Sequence, residues 1–124
     1  MKTCFKITNA ATPQGTAVID ILDDIGFWGT QARDFSAQLR AAAESSSDIR
    51  VDISSLGGDV FTGLAIYNSL RNCGKPVTTR VVGVAASIAS IVFLAGDTRE
   101  MPATTMVMIH QPRGGISGPA DALP

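Results

Sequence analysis

Three times along this chain a short apolar run rich in β-branched residues gives way, through a turn, to a segment whose apolar residues recur every three or four positions. Residues 17–22, Ala-Val-Ile-Asp-Ile-Leu, read as a strand ended by Asp23, Asp24 and Gly26. Thr30 is a suitable N-cap for the helix that follows, where Ala32, Phe35, Leu39 and Ala42 form one stripe until Ser45-Ser46-Ser47 ends it. Ile49, Val51 and Ile53 then alternate with Arg50 and Asp52 as a strand with one buried face, and Ser54-Ser55-Leu56-Gly57-Gly58-Asp59 is the next turn. From Val60 the spacing is helical again through Leu64, Tyr67 and Leu70, with Gly74 and Pro76 as closing residues. Residues 77–82 read as a third strand, 83–86 as a loop, and 87–95 as an apolar helix without a polar face, hence buried, stopped by Gly96. A short segment at 98–101, a turn at Pro102 and a strand at 106–109 follow; Pro119, after the glycine-rich loop 114–118, suits the first turn of a further helix. Strands alternating with helices in this way pair in parallel, because each helix carries the chain back to the starting edge of the sheet through a right-handed crossover. The expectation is one α/β domain over residues 1–124.

Composition narrows the functional classes. Apolar residues make up 45% of the chain and charged residues 17%, the balance of a cored protein rather than a disordered one. Ten basic and eleven acidic residues are scattered in sign, which argues against the basic stripe of a nucleic-acid binder. No segment approaches the ~20 apolar residues of a membrane span, and Met1-Lys2-Thr3-Cys4-Phe5 lacks an apolar signal core behind it, so a cytoplasmic protein is expected. Cys4 and Cys73 lack metal-ligand spacing and are expected as reduced, small apolar residues. No metal or organic cofactor is implied, and neither a phosphate-loop nor a dinucleotide glycine pattern is present.

Three features could carry chemistry, each with an ordinary structural alternative. His110, the single histidine, lies at the C-terminal end of a strand, where catalytic groups collect in parallel sheets; it could equally be a satisfied core residue. Ser87 stands where a strand exit meets a buried helix, so unpaired backbone N–H groups would face its oxygen; a serine there is also an ordinary cap. Gly57 and Gly58 permit positive φ and close backbone approach to a ligand, or simply a tight turn. Acyl transfer needs a nucleophile, a base and preorganised oxyanion donors, and Ser87, His110 and the Ile88 N–H could supply one of each.

The wording of three segments resembles a known family. Ser54-Ser55-Leu56-Gly57-Gly58-Asp59-Val60 followed by Gly63-Leu64-Ala65-Ile66-Tyr67 is similar to the N-S-P-G-G-x-V…G-x-A-I-Y segment of ClpP peptidases. Gly83-Val84-Ala85-Ala86-Ser87-Ile88 resembles their G-x-A-A-S-M nucleophile segment, and Ile109-His110-Gln111-Pro112-Arg113-Gly114-Gly115 their I-H-Q-P-x-G-G histidine segment. The resemblance runs from about residue 17 to 124, and at Gly29 to Leu39 and Gly57 to Asn68 it is closest to the phage-encoded prohead or head-maturation branch.

The resemblance implies a ClpP/crotonase-like α/β fold of repeated β-α-β units in a spiral-type parallel sheet, with the C-terminal part missing. It implies a serine endopeptidase in which Ser87 is the nucleophile, His110 the general base, and the backbone N–H groups of Gly58 and Ile88 the oxyanion donors. Backbone at Gly57, Asp59, Val60, Arg113, Gly114 and Gly115 would pair with an extended peptide substrate. It further implies a homo-oligomeric ring in the complete form, with an ATPase unfoldase or phage capsid proteins as partners. Leu56 and Ser54 depart from the family's proline and asparagine, mildly, since the donors are backbone. The family's acidic triad member lies several tens of residues beyond the histidine, whereas this chain ends 14 residues after His110 (124 minus 110). Asp121, the one acid in that stretch, belongs by the resemblance to another element, so no triad acid is assigned. A catalytically impaired scaffold and a crotonase-type acyl-CoA enzyme, which also holds an oxyanion with paired backbone donors, remain the alternatives; the latter usually needs acidic catalysts, and the only glutamates are Glu44 and Glu100.

Overall fold

The computed structural model describes residues 7–8 and 15–109. In chain order the elements are β1 (Ile7–Thr8), β2 (Thr16–Ile21), α1 (Ala32–Ser45), β3 (Asp48–Ser55), α2 (Val60–Arg71), β4 (Val77–Ala86), α3 (Ile88–Phe93), β5 (Thr98–Glu100) and β6 (Met106–Met108). The sheet runs β1-β2-β3-β4-β5, with β6 also on β4; every pairing is parallel except that of β1 with β2. The expected α/β architecture is therefore present.

Alternation along the strands decides which face is covered. Ala17, Ile19 and Ile21, then Ile49, Val51 and Ile53, then Val77 and Val81 are buried and belong to one core with Phe35, Leu39 and Ala42 of α1, Ile66 and Leu70 of α2, and most of α3. The alternate positions Asp20, Arg50, Asp52 and Arg80 are only half-buried, on the face without these helices. There Arg50 makes a bidentate pair with Asp52, at 2.9 and 3.1 Å.

Several local expectations are corrected. Thr30 does not cap α1: Gln31 holds that position, and Thr30 is buried in a tight loop whose N–H donates to the Asp24 carbonyl and whose carbonyl accepts from Gly26. In α2 the inward positions are Gly63, Ile66 and Leu70, while Leu64 is exposed and Tyr67 only partly buried. The helix closes at Asn72, whose backbone and side-chain N–H groups both reach the Asn68 carbonyl; Gly74 has the left-handed φ of +80° expected of it, but lies beyond that closure. Residues 83–86 are not a loop but the continuation of β4, and α3 is shorter than expected, beginning after Ser87 and ending at Phe93.

Candidate active site

An irregularity in β4 builds the site. Ile53 pairs with Val81 but Ser55 with Ala85, so two steps along β3 face four along β4. Gly83 lies in the extra stretch, where a Cβ would stand 2.4 Å from the Ser54 Oγ, and that oxygen accepts the Val84 N–H at 3.4 Å. A bulge of this kind re-aims the strand end. Thr78, Thr79 and Arg80 pair with β5, whereas Val84, Ala85 and Ala86 pair with β6. As a result the Ser87 N–H donates to the Met108 carbonyl at 2.9 Å, which lays the last described residues before His110 alongside Ser87.

Ser87 itself occupies the sharp turn between β4 and α3 with φ +56° and ψ −128°. A non-glycine residue held in such a region costs about 1–3 kcal/mol and persists where the surroundings over-determine it, often at functional sites. Here the Ser90 N–H and hydroxyl both donate to the Ser87 carbonyl, and the Ser87 N–H is taken by Met108. The side chain is half-buried and makes no capping bond to the helix. The Ile88 N–H, at the first helical position, has no hydrogen-bond partner among the described residues, as the geometry of a helix start requires.

The glycine pair packs against this turn. Gly57 has φ +101°, and a Cβ there would meet the Ala86 carbonyl oxygen at 2.8 Å, the Ser87 Cβ at 2.9 Å and the Ile88 nitrogen at 3.4 Å. Gly58 has φ +148°, and a Cβ would lie 2.1 Å from the Ile25 carbonyl oxygen. Both positions thus require glycine for space as well as conformation. Ile25 grips the turn from the other side: its N–H donates to the Gly57 carbonyl at 2.9 Å and its carbonyl accepts from Asp59 at 2.8 Å. The Gly57 N–H donates to the buried Ser55 Oγ at 3.1 Å. Gly58 is exposed, and its N–H has no partner among the described residues. Two unengaged donors, at Gly58 and Ile88, therefore flank the Ser87 turn, an arrangement that can hold an oxyanion.

Of the residues expected to bind substrate through backbone, Gly57 and Asp59 have both N–H and C=O engaged within the protein, Asp59 through Ile25 and Gly63. The exposed Val60 has an N–H with no partner among the described residues. The Asp59 carboxylate caps α2, accepting from the Thr62 N–H at 2.8 Å and its hydroxyl at 2.6 Å, and these bonds hold its pKa below the ordinary aspartate range. His110, Arg113, Gly114, Gly115 and Asp121 lie outside the described residues, as does Cys4; Cys73 is a free, partly buried thiol. Sequence reasoning missed Ile25, Ser55 and Met108. The Ile25 and Met108 contacts are backbone ones that any residue can make, but Ser55 left a trace: it is the fourth inward position after Ile49, Val51 and Ile53, and the only polar one.

Known proteins resemble this chain in sequence and in fold. The chain is 38% identical over 112 residues to an ATP-dependent Clp protease proteolytic subunit of Porphyromonas gingivalis, covering 83% of this chain and 50% of that protein. It is likewise 38% identical over 109 residues to the subunit of the same name in Bacteroides fragilis, covering 81% and 53%. The chain thus spans about half the length of the curated relatives it matches. A solved structure of a ClpP1 mutant from Listeria monocytogenes superposes with a TM-score of 0.71 at 31% identity, over 85% of this chain and 62% of the other. With the Clp protease family model matching residues 15–124, over a region that includes both the Ser87 turn and the glycine pair, the chain belongs to the Clp protease family.

Proposed function

We propose that this chain carries the catalytic segment of a serine-type endopeptidase acting in Clp-type proteolysis, with Ser87 as nucleophile and His110 as general base. The observation that carries the reading is the Ser87 turn: a strained, half-buried serine flanked by the unengaged N–H groups of Ile88 and Gly58, beside the strand that leads into His110. In the reaction the Ser87 Oγ attacks the scissile carbonyl as an imidazole nitrogen of His110 takes its proton. The carbonyl oxygen becomes an oxyanion and receives the Gly58 and Ile88 N–H groups, donors worth about 10²–10³ in turnover apiece in such sites. His110 returns the proton to the leaving amine, and water then releases the acyl group by the same route in reverse.

The substrate is an extended peptide that adds to backbone at Val60 and at Arg113 to Gly115, with main-chain hydrogen bonds supplying affinity. The complete protein works as a homo-oligomeric ring in the cytoplasm, and its ATP dependence comes from a partner ATPase. The relatives named above carry the Clp proteolytic-subunit name, which favours this setting over phage head maturation. The test is labelling with a fluorescent fluorophosphonate: attachment to the parent chain that disappears in Ser87→Ala is the expected result. Labelling unchanged in that variant, or absent from a folded parent, overturns the reading.

A further inference from the structure

We infer that Ser55 is a positioning residue for the oxyanion donor at Gly58, acting through the hydrogen bond its hydroxyl accepts from the Gly57 N–H; this rests on the Ser87 reading above. Burial is the first ground. The inward positions of β3 run Ile49, Val51, Ile53, Ser55, and Ser55 is 2% exposed. An apolar side chain in that place would bury more favourably, since an interior hydroxyl is tolerated only for the bond it makes. Here that bond is to Gly57, at 3.1 Å.

The second ground is what the bond holds. Gly57 and Gly58, at φ +101° and +148°, are the least restrained residue type in a positive-φ turn that must present one N–H in one direction. Three bonds hold the Gly57 backbone and the Asp59 N–H among the described residues. Two are backbone bonds to Ile25, which hold the Gly57 carbonyl and the Asp59 N–H on the side away from Ser87. The Gly58 N–H shares a rigid peptide plane with the Gly57 carbonyl, so the Ile25 bond sets its direction; the third bond, from Ser55, holds the Gly57 N–H and so fixes the preceding peptide, which limits the Gly57 φ and ψ between the two planes. It is the only one of the three made by a side chain. Without it the Gly57–Gly58 peptide keeps its anchor at Ile25 but can swing about that bond as Gly57 rotates, and preorganisation of the donor, rather than the fold, is what suffers.

The experiment compares two reactions at Ser87. Fluorophosphonate labelling places a developing negative oxygen in the donor pair, whereas alkylation of a Ser87→Cys variant by iodoacetamide displaces iodide from carbon and needs no oxyanion donor. In Ser55→Ala the labelling rate is expected to fall about ten- to a hundredfold. Alkylation of Ser87→Cys, followed at that peptide by mass spectrometry, is expected to be the same with and without Ser55→Ala. Ser55→Thr, which keeps the acceptor, is expected to restore labelling. Ser55→Cys, close in volume but a weak acceptor, takes the place of Ser55→Ala should the latter melt below the assay temperature. Equal slowing of both reactions means a merely structural role and overturns the inference, as does labelling at the parent rate. A parent chain that does not label at all takes down the nucleophile reading and this inference with it, which distinguishes that failure from one confined to Ser55.

Discussion

Ser87 is the residue where conformation and chemistry meet. Its φ of +56° is a region that L residues avoid and glycine enters freely. Replacement by glycine should therefore relieve stored strain while removing the proposed nucleophile. The expected outcome for Ser87→Gly is a gain of about 1 kcal/mol in denaturant unfolding, after the larger chain entropy of glycine is set against the strain relieved. Labelling should be lost in the same variant; a loss of stability instead would mean that the turn is not strained. The strain itself could not be read from the chain, because a serine after two alanines is equally at home in a relaxed N-cap. Burial of Ser55, by contrast, was open to reading, as a polar residue in phase with Ile49, Val51 and Ile53.

At the scale of elements, α2 joins the glycine turn to α3. Its cap is Asp59, whose carboxylate is held below its ordinary pKa first by the Thr62 hydroxyl and then by the Thr62 N–H. A depressed pKa in the folded state adds stability above the unfolded value, near 3.8, and that contribution is lost as pH falls through the lower folded value. Asp59→Asn keeps a capping oxygen but cannot titrate, so its thermal midpoint should change less than the parent's on acidification through that window. One turn further on, Gly63 meets Ile88: a Cβ would stand 2.2 Å from the Ile88 Cγ1. Gly63→Ala should cost about 1–3 kcal/mol by overpacking. It should also slow fluorophosphonate labelling beyond what the lost stability explains, since the displaced residue carries a proposed donor. Chemical denaturation and labelling rates on one preparation check both parts. The helical spacing of α2 was legible, and Leu70 does face inward, but the earlier positions of the stripe do not mark its inward face. Glycine carries no hydrophobic signal, so Gly63 could not be recognised as a contact, and the more apolar Leu64 drew the stripe one position away.

For the whole molecule, the described helices pack on one face of the sheet, charged side chains such as Arg50, Asp52 and Arg80 lie on the other, and large apolar groups stand exposed in the loop after β2 and the first turn of α2. Phe27, Trp28 and Phe61 are exposed, Trp28 at 91%. Trp28 is the chain's one tryptophan, so emission of the isolated chain should be that of solvent-exposed indole and strongly quenched by acrylamide; a shielded, blue-shifted spectrum at low concentration contradicts the structure. A shift to the blue as concentration rises is the outcome that ring assembly through this loop would give. Alternation of β-branched runs with helical stripes was enough to establish from the chain a parallel α/β sheet, because period and turn chemistry are local properties. Motif order was enough to name Ser87 and the glycine pair as candidates. Tertiary structure alone decided how they meet: two extra residues in β4 transfer its end from β5 to β6, and Ile25, distant in sequence, clamps the turn. Neither carries a side-chain signature, since a strand register and a backbone hydrogen bond depend on where the rest of the chain lies and not on the residues that make them.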